Sequence, residues 1–90
     1  MLVNGLEYHL HCGREDVGEY CILPGDPGRC HAIASYFDDP IQVAYNREFN
    51  VWTGTLLGEK VTVCSTGIGG ASAAIAIEEL VTAGAGTLNP

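Results

Sequence analysis

Two glycine-rich turns, each between an apolar run and a helical pattern, carry the residues best suited to bind an anion. The first turn contains Gly25, and Arg29 follows on the next helical turn; the second spans Thr66 to Gly70. A helix N-terminus presents unpaired N–H groups and the positive end of the helix dipole, and an arginine adds a fixed charge. The pattern indicates an anion cradle. The alternative interpretation is that each turn only connects a strand to a helix and binds no ligand, and that Arg29 is a solvent-exposed helix residue.

Hydrophobic periodicity places these turns in an α/β chain. The predicted strands cover residues 20–23, 41–45, 49–56, 61–64 and the segment that begins at Gly86. The predicted helices cover residues 30–37 and the stretch from Ala71 to a C-terminal cap at Gly84. A hairpin turn at residues 57–60 should join the third and fourth strands.

The two helices should be delimited by local signals. Asp26 is suited to cap the first helix, with Pro27 in its first turn, and the segment 38–40 should break that helix. On the second helix, the i, i+4, i+7 spacing predicts a shared buried face that comprises Ala73, Ile77, Leu80, Val81 and Gly84.

Composition excludes several classes of function. The chain has 90 residues, is 47% hydrophobic and carries a net charge of −7. These values predict one small globular domain and argue against binding to nucleic acid or to an anionic membrane surface. No signal peptide or transmembrane run is recognisable, and the four cysteines form no Cys-x-x-Cys pair. We therefore expect reduced thiols and a cytoplasmic protein.

Four segments, in this order, resemble the nucleoside phosphorylase/nucleosidase family. They are Tyr8-His-Leu10, Leu23-Pro-Gly-Asp-Pro-Gly-Arg29, Asn46-Arg-Glu-Phe49 and Cys64-Ser-Thr-Gly-Ile-Gly-Gly70. Arg47-Glu48-Phe49 and Ser65–Gly69 are more similar to the uridine branch than to the purine branch. The resemblance implies the N-terminal portion of an α/β sandwich with a mixed, partly barrel-like sheet. Residues 1–90 would then be a single, truncated domain of that fold.

The resemblance also implies roles for individual residues. Gly25 and Arg29 would hold phosphate, and Arg47 would reach the phosphate of an adjacent subunit. Tyr8, His9 and Thr66 would line the nucleoside pocket. The resemblance implies no organic cofactor, and at most a monovalent cation such as potassium between subunits. Its ligands would be Glu48, the carbonyl of Ile68, and Ser72. Ala71 stands where a proline is common in the family.

The implied activity is that of a pentosyltransferase, in which uridine and phosphate give uracil and ribose 1-phosphate. Its partners would be phosphate, a nucleoside and further copies of the chain, as a dimer or hexamer. The segments that complete the phosphate site and read the base are missing, so we expect the 90 residues alone not to turn over uridine. Two alternatives stay open: a stand-alone phosphate-binding or regulatory module that pairs with a full-length homologue, and a purine phosphorylase or nucleosidase.

Overall fold

The computed structural model describes residues 2–3, 6–7, 10, 13, 16–67 and 70–89. Within this part, the chain forms seven strands and two helices. In chain order they are β1 (Leu2–Val3), β2 (Leu6–Glu7), β3 (Tyr20–Ile22), α1 (Gly28–Ala34), β4 (Asp38–Asn46), β5 (Phe49–Leu56), β6 (Glu59–Cys64), α2 (Gly70–Ala83) and β7 (Thr87–Asn89). None of the helices in this described part is long and apolar enough to cross a membrane.

Five of the strands form one mixed sheet in the order β4-β5-β6-β3-β7, while β1 and β2 pair separately. Strands β4, β5 and β6 are an antiparallel meander, and β3 lies parallel to both β6 and β7. The register sets Tyr20 opposite Val61 and Thr87. The expected α/β class with a mixed sheet is confirmed. Among the described strands the sheet is open, with β4 and β7 at its edges, and is not closed into a barrel.

The two helices cover opposite faces of the sheet, because successive strand residues point to opposite sides. On one face α1 packs against β5 and β6 through a cluster of Cys30, Ala34, Phe37, Val61 and Val63. On the other face α2 contributes to the larger cluster, which includes Cys21, Leu23, Phe49, Val51, Cys64, Ala76, Leu80 and Ala83. A Cβ atom on Gly54 would lie 2.7 Å from the Cβ of Phe37, so the glycine lets the turn that follows α1 lie directly on β5.

The predicted boundaries of α1 and β4 were displaced. Helix α1 covers Gly28–Ala34 and not residues 30–37, and β4 already begins at Asp38, where a break was expected. Pro40 lies inside this strand. A proline is tolerated there because β4 is an edge strand with one side of its backbone unpaired. Register irregularities fall between Asp38 and Ile41 and between Gln42 and Ala44.

The predicted buried face of α2 was partly wrong. Ile77 and Val81 are 39% and 52% exposed, whereas Leu80 is fully buried as expected. The side chains that α2 buries are Ala76, Glu79, Leu80 and Ala83. Helix α2 thus contributes two alanines and Leu80 to the larger core cluster, and the more exposed Ile77 and Val81 lie outside that cluster.

The C-terminal cap of α2 at Gly84 is confirmed. Gly84 has φ +120°, its N–H donates to the carbonyl of Val81, and the N–H of Ala85 donates to the carbonyl of Leu80. These two bonds are the Schellman pattern that ends a helix at a left-handed residue. The β5–β6 hairpin is also confirmed, with Leu57 and Gly58 both at positive φ as a type I′ turn requires.

Candidate functional site

The sheet topology brings three turns to one edge of the sheet. The loops after β3 and β6 both follow the carboxyl ends of parallel strands, so they lie side by side. Strand β5 runs antiparallel to β6 and sets Val51 opposite Cys64, so the β4–β5 turn at residues 47–48 reaches the same edge. The turns that carry Gly25, Arg29, Arg47, Glu48 and Thr66 therefore meet at one end of the sheet.

Two backbone hydrogen bonds join the first two loops directly. The N–H of Thr66 donates to the carbonyl of Pro24, and the N–H of Gly67 donates to the carbonyl of Gly25, each at 3.0 Å. Among the described residues, a Cβ atom on Gly25 would meet the carbonyl oxygen of Gly67 alone, at an ordinary contact distance of 3.6 Å. Packing within this part of the chain therefore does not require a glycine at position 25, and its exposed backbone leaves room for a ligand.

The first two backbone amides of α1 donate hydrogen bonds to Asp26, which precedes the helix. The Asp26 carboxylate accepts from the N–H of Gly28 at 2.9 Å, and the Asp26 carbonyl accepts from the N–H of Arg29 at 3.1 Å. The N-cap position of α1 is Pro27 and not Asp26 as predicted, although the Asp26 carboxylate bonds the first amide of the helix. These two amides are then not available to an anion, which corrects the expectation of a backbone cradle at this junction. An anion here would depend on the Arg29 side chain.

Arg29 and Arg47 are exposed, and within the described part of the chain neither guanidinium makes a hydrogen bond or an ion pair. The Arg29 side chain lines an open, largely apolar groove of about 350 Å³ beside α1. Arg47 has φ +54°, in the left-handed region that is uncommon for a residue other than glycine. Such strained positions cluster at functional sites. Two unpaired arginines stand at one edge of a chain with eleven acids and four basic residues.

Glu48 connects the β4–β5 turn to the glycine-rich turn. Its carboxylate accepts a hydrogen bond from the Ser72 hydroxyl on α2. Its stem lies over Gly67, where a Cβ atom would come within 2.8 Å of the Glu48 Cγ. Two of the three predicted cation ligands, Glu48 and Ser72, are therefore brought together. Their oxygens are the donor type that a hard cation prefers. The third ligand, Ile68, lies outside the described residues.

A buried network that the sequence analysis did not find supports the same edge. Ser65 is fully buried, and its hydroxyl donates to the Glu48 carbonyl and accepts from the Asn50 N–H. The Asn50 side chain in turn donates to the Pro27 carbonyl at 3.0 Å and accepts from Gln42 at 2.8 Å. The available signal was an asparagine in a strand, where this residue type is depleted.

The predicted nucleoside residues Tyr8 and His9 lie outside the described residues. The next residue, Leu10, is fully buried, and its N–H donates to the carboxylate of Glu79 on α2 at 2.9 Å. Glu79 is itself only 7% exposed and was not among the predicted site residues. Thr66, the third predicted nucleoside residue, is half-buried in the loop beside Gly25.

Two buried cysteines of the core have raised thiol pKa values. Burial raises the pKa of the Cys21 thiol from 9.0 to about 11. Burial also raises the pKa of Cys30, against hydrogen bonds with Ser65 that lower it and a smaller effect of Asp26 that raises it further. Both thiols are therefore protonated at neutral pH and are poor nucleophiles. The described residues contain no cluster of three His, Cys, Asp or Glu side chains that could hold a metal ion.

Comparisons with known proteins identify the family to which this sequence is similar. The family model of the phosphorylase superfamily matches residues 19–88. The uridine phosphorylase of Treponema pallidum (strain Nichols) is 52% identical over 81 residues, which cover 90% of this chain and 31% of the relative. The guanosine phosphorylase of Halorubrum lacusprofundi is 49% identical over 79 residues, which cover 88% of this chain and 33% of the relative.

A solved structure gives the same result for the fold. The crystal structure of uridine phosphorylase from Vibrio fischeri ES114 superposes with a TM-score of 0.92 at 35% identity, and the match covers 98% of this chain and 37% of that one. The chain thus spans about a third of the length of the relatives it matches. The match to the family model over most of its length shows that this chain belongs to the phosphorylase superfamily.

Proposed function

We propose that the chain supplies the phosphate-holding part of a nucleoside phosphorylase that acts on uridine. The observation that carries the proposal is a pair of exposed arginines at one edge of a strongly acidic chain, Arg29 and Arg47, which have no partner among the residues that the structure describes. A guanidinium binds phosphate through paired N–H donors, and the open backbone at Gly25 admits the anion beside Arg29. The similarity to uridine phosphorylases supports uridine as the nucleoside.

In the proposed reaction a phosphate oxygen forms a bond to the anomeric carbon of the ribose. The bond from that carbon to the uracil nitrogen breaks, its electron pair leaves with the base, and the base takes up the proton that the phosphate loses. The products are uracil and ribose 1-phosphate. The arginines hold the phosphate next to the reacting carbon, and Thr66 lies beside Gly25, where the nucleoside would sit. Arg47 would act on the site of a second subunit, so the complete site requires a homo-oligomer, a dimer or a hexamer.

Five further residues complete the proposal. Tyr8 and His9 would reach the nucleoside across the same interface. A monovalent cation such as potassium would be held by Glu48, the Ile68 carbonyl and Ser72, and the hydrogen bond between Glu48 and Ser72 supports their assignment to one site. Bound there, the cation would supply positive charge that fixes the position of the β4–β5 turn at the interface.

The test is a titration of the 90-residue chain with inorganic phosphate, followed by the amide NMR signals of Gly25 and Arg29. We expect saturable shifts, with affinity lowered about 10- to 100-fold in Arg29→Ala, because this variant removes charge-assisted hydrogen bonds. Arg47→Ala should cause a similar loss in the dimeric chain, since Arg47 acts on the site of the second subunit. Lys60→Ala removes the same charge at the opposite end of β6 and should leave the affinity unchanged. Phosphate binding that all three variants weaken equally, or none at all, contradicts the proposal.

A purine nucleoside is the second candidate, because guanosine phosphorylase of Halorubrum lacusprofundi matches this chain nearly as well as the uridine enzymes do. Adding uridine or guanosine to the phosphate-saturated chain separates the two. We expect uridine to shift the Thr66 amide signal. A shift with guanosine alone favours the purine activity.

A further inference from the structure

Asn50 is an unusual residue for its place in the fold. It is the second residue of β5, lies opposite Tyr45 of β4 and is only 5% exposed. Asparagine is depleted in strands, and a buried carboxamide is unfavourable unless its donors and acceptors are paired. A residue that departs from local preference in this way often serves a site. The role of Asn50 should therefore be visible in its partners.

The Asn50 carboxamide joins two elements that flank β5. Its Nδ2 donates to the carbonyl of Pro27 at 3.0 Å, and its Oδ1 accepts from Gln42 Nε2 at 2.8 Å. Pro27 directly precedes Gly28, the first residue of α1, and its carbonyl also accepts from the N–H of Cys30. The carboxamide therefore holds the first turn of α1 at the point from which Arg29 extends.

The backbone of Asn50 is fixed at the same time. Its N–H donates to the Ser65 hydroxyl at 2.8 Å, and its carbonyl accepts from the Ser65 N–H at 3.2 Å. The same Ser65 hydroxyl donates to the carbonyl of Glu48, in the turn that also carries Arg47. Asn50 thus connects the turn that bears Arg47 to the turn that bears Arg29.

We propose that Asn50 is a positioning residue that sets the place of Arg29 relative to the Arg47–Glu48 turn. It acts through the Pro27 carbonyl and does not itself touch the anion. This inference rests on the proposed function only in taking phosphate as the anion. A valine would suit the strand and fill similar space, so the carboxamide contributes orientation more than stability.

The experiment compares Asn50→Val with Gln42→Ala in the 90-residue chain. The first variant removes the bond to Pro27, and the second removes only the exposed partner of Oδ1. We expect about tenfold weaker binding of inorganic phosphate in Asn50→Val, which corresponds to the contribution of about one hydrogen bond. In Gln42→Ala we expect the affinity to fall by less than about twofold. The free energy of unfolding of Asn50→Val should stay close to that of the parent chain.

A double variant separates positioning from a merely structural role. If Asn50 acts through Arg29, then Asn50→Val combined with Arg29→Ala should bind phosphate no more weakly than Arg29→Ala alone. Additive losses in the double variant overturn the proposal, as does an unchanged affinity in Asn50→Val. If that variant is unfolded by circular dichroism, Asn50→Thr, which favours a strand, replaces it in the same comparison.

Amide hydrogen exchange tests the inference even where phosphate does not bind. We expect the Arg29 and Cys30 amides to exchange about tenfold faster in Asn50→Val than in Gln42→Ala, because the Pro27 carbonyl is no longer held. Equal exchange in the two variants contradicts the positioning role. If the two variants differ in exchange but the parent chain does not bind phosphate, the proposed function is refuted. The role of Asn50 in placing α1 is then still supported.

Discussion

Replacing Gly67 with alanine should be far more damaging than the same change at Gly58. Both glycines have nearly equal positive φ values, +75° and +82°. A Cβ atom on Gly58 meets nothing within 4 Å, whereas one on Gly67 comes within 2.8 Å of Glu48 Cγ and 3.2 Å of Glu48 Cβ. An alanine would suffer the same backbone strain at both positions, but only at position 67 would it also collide with Glu48.

The magnitude follows from these two terms. A left-handed conformation costs an alanine about 1–2 kcal/mol, and alanine regains about 0.4–1 kcal/mol by reducing the freedom of the unfolded chain. Gly58→Ala should therefore lose about 1 kcal/mol of unfolding free energy. In Gly67→Ala, Glu48 must also move and release Ser72, a charge-assisted bond of about 1.5–3 kcal/mol. The total loss should be about 2–4 kcal/mol.

Urea denaturation followed by circular dichroism measures both variants. A Glu48→Ala background has already lost the bond to Ser72, so Gly67→Ala should cost only about 1 kcal/mol there, the same as Gly58→Ala costs in either background. Equal losses in the two glycine variants would refute the reasoning, because the contact with Glu48 would then have no energetic weight.

Two further predictions concern the buried interior. Thr62 is fully buried, accepts from the Gly18 N–H at 2.8 Å and bonds the Thr53 hydroxyl, so Thr62→Val should lower the free energy of unfolding by about 1–3 kcal/mol. Thr55→Val, on the exposed part of β5, is the matched control, and equal losses in urea titrations would contradict this result. Because the pKa of Cys21 is raised to about 11, its neutral thiol stabilises the fold fully below pH 9, and this contribution is lost as the pH rises toward 11. Cys21→Ala should flatten the fall in stability over that pH range, and an unchanged slope would count against it.

Several features of the fold were accessible from the sequence because they depend on neighbouring residues. The Leu57-Gly58 hairpin and the Gly84 cap each arise from a residue and its own turn. The meeting of the Gly25 and Thr66 loops follows from a general rule for parallel strands. The segment 38–40 was misread because its proline is allowed only once β4 is known to be an edge strand.

The parts of the site that could not be predicted depend on register. Nothing local to Asn50 indicates that it bonds Pro27 on one side and Gln42 on the other, because both contacts arise from how β5 aligns with α1 and β4. Glu79 resembles a solvated helix residue in sequence, and only the packing of α2 places its carboxylate on the Leu10 N–H. The first α1 amides were expected to bind an anion, but they donate hydrogen bonds to Asp26.

The antiparallel meander of β4, β5 and β6 has a consequence for the order in which the chain assembles. Two-residue turns join these strands, so their contacts are local and can form within microseconds. The parallel pairing of β3 with β6 must instead close the long loop from Tyr20 to Val61, which is slower. The turn that bears Arg47 would then be in place early, and Arg29 would reach it late. During folding, Arg47 would thus be positioned before Arg29. Anion binding at Arg29 would therefore report the last step of folding.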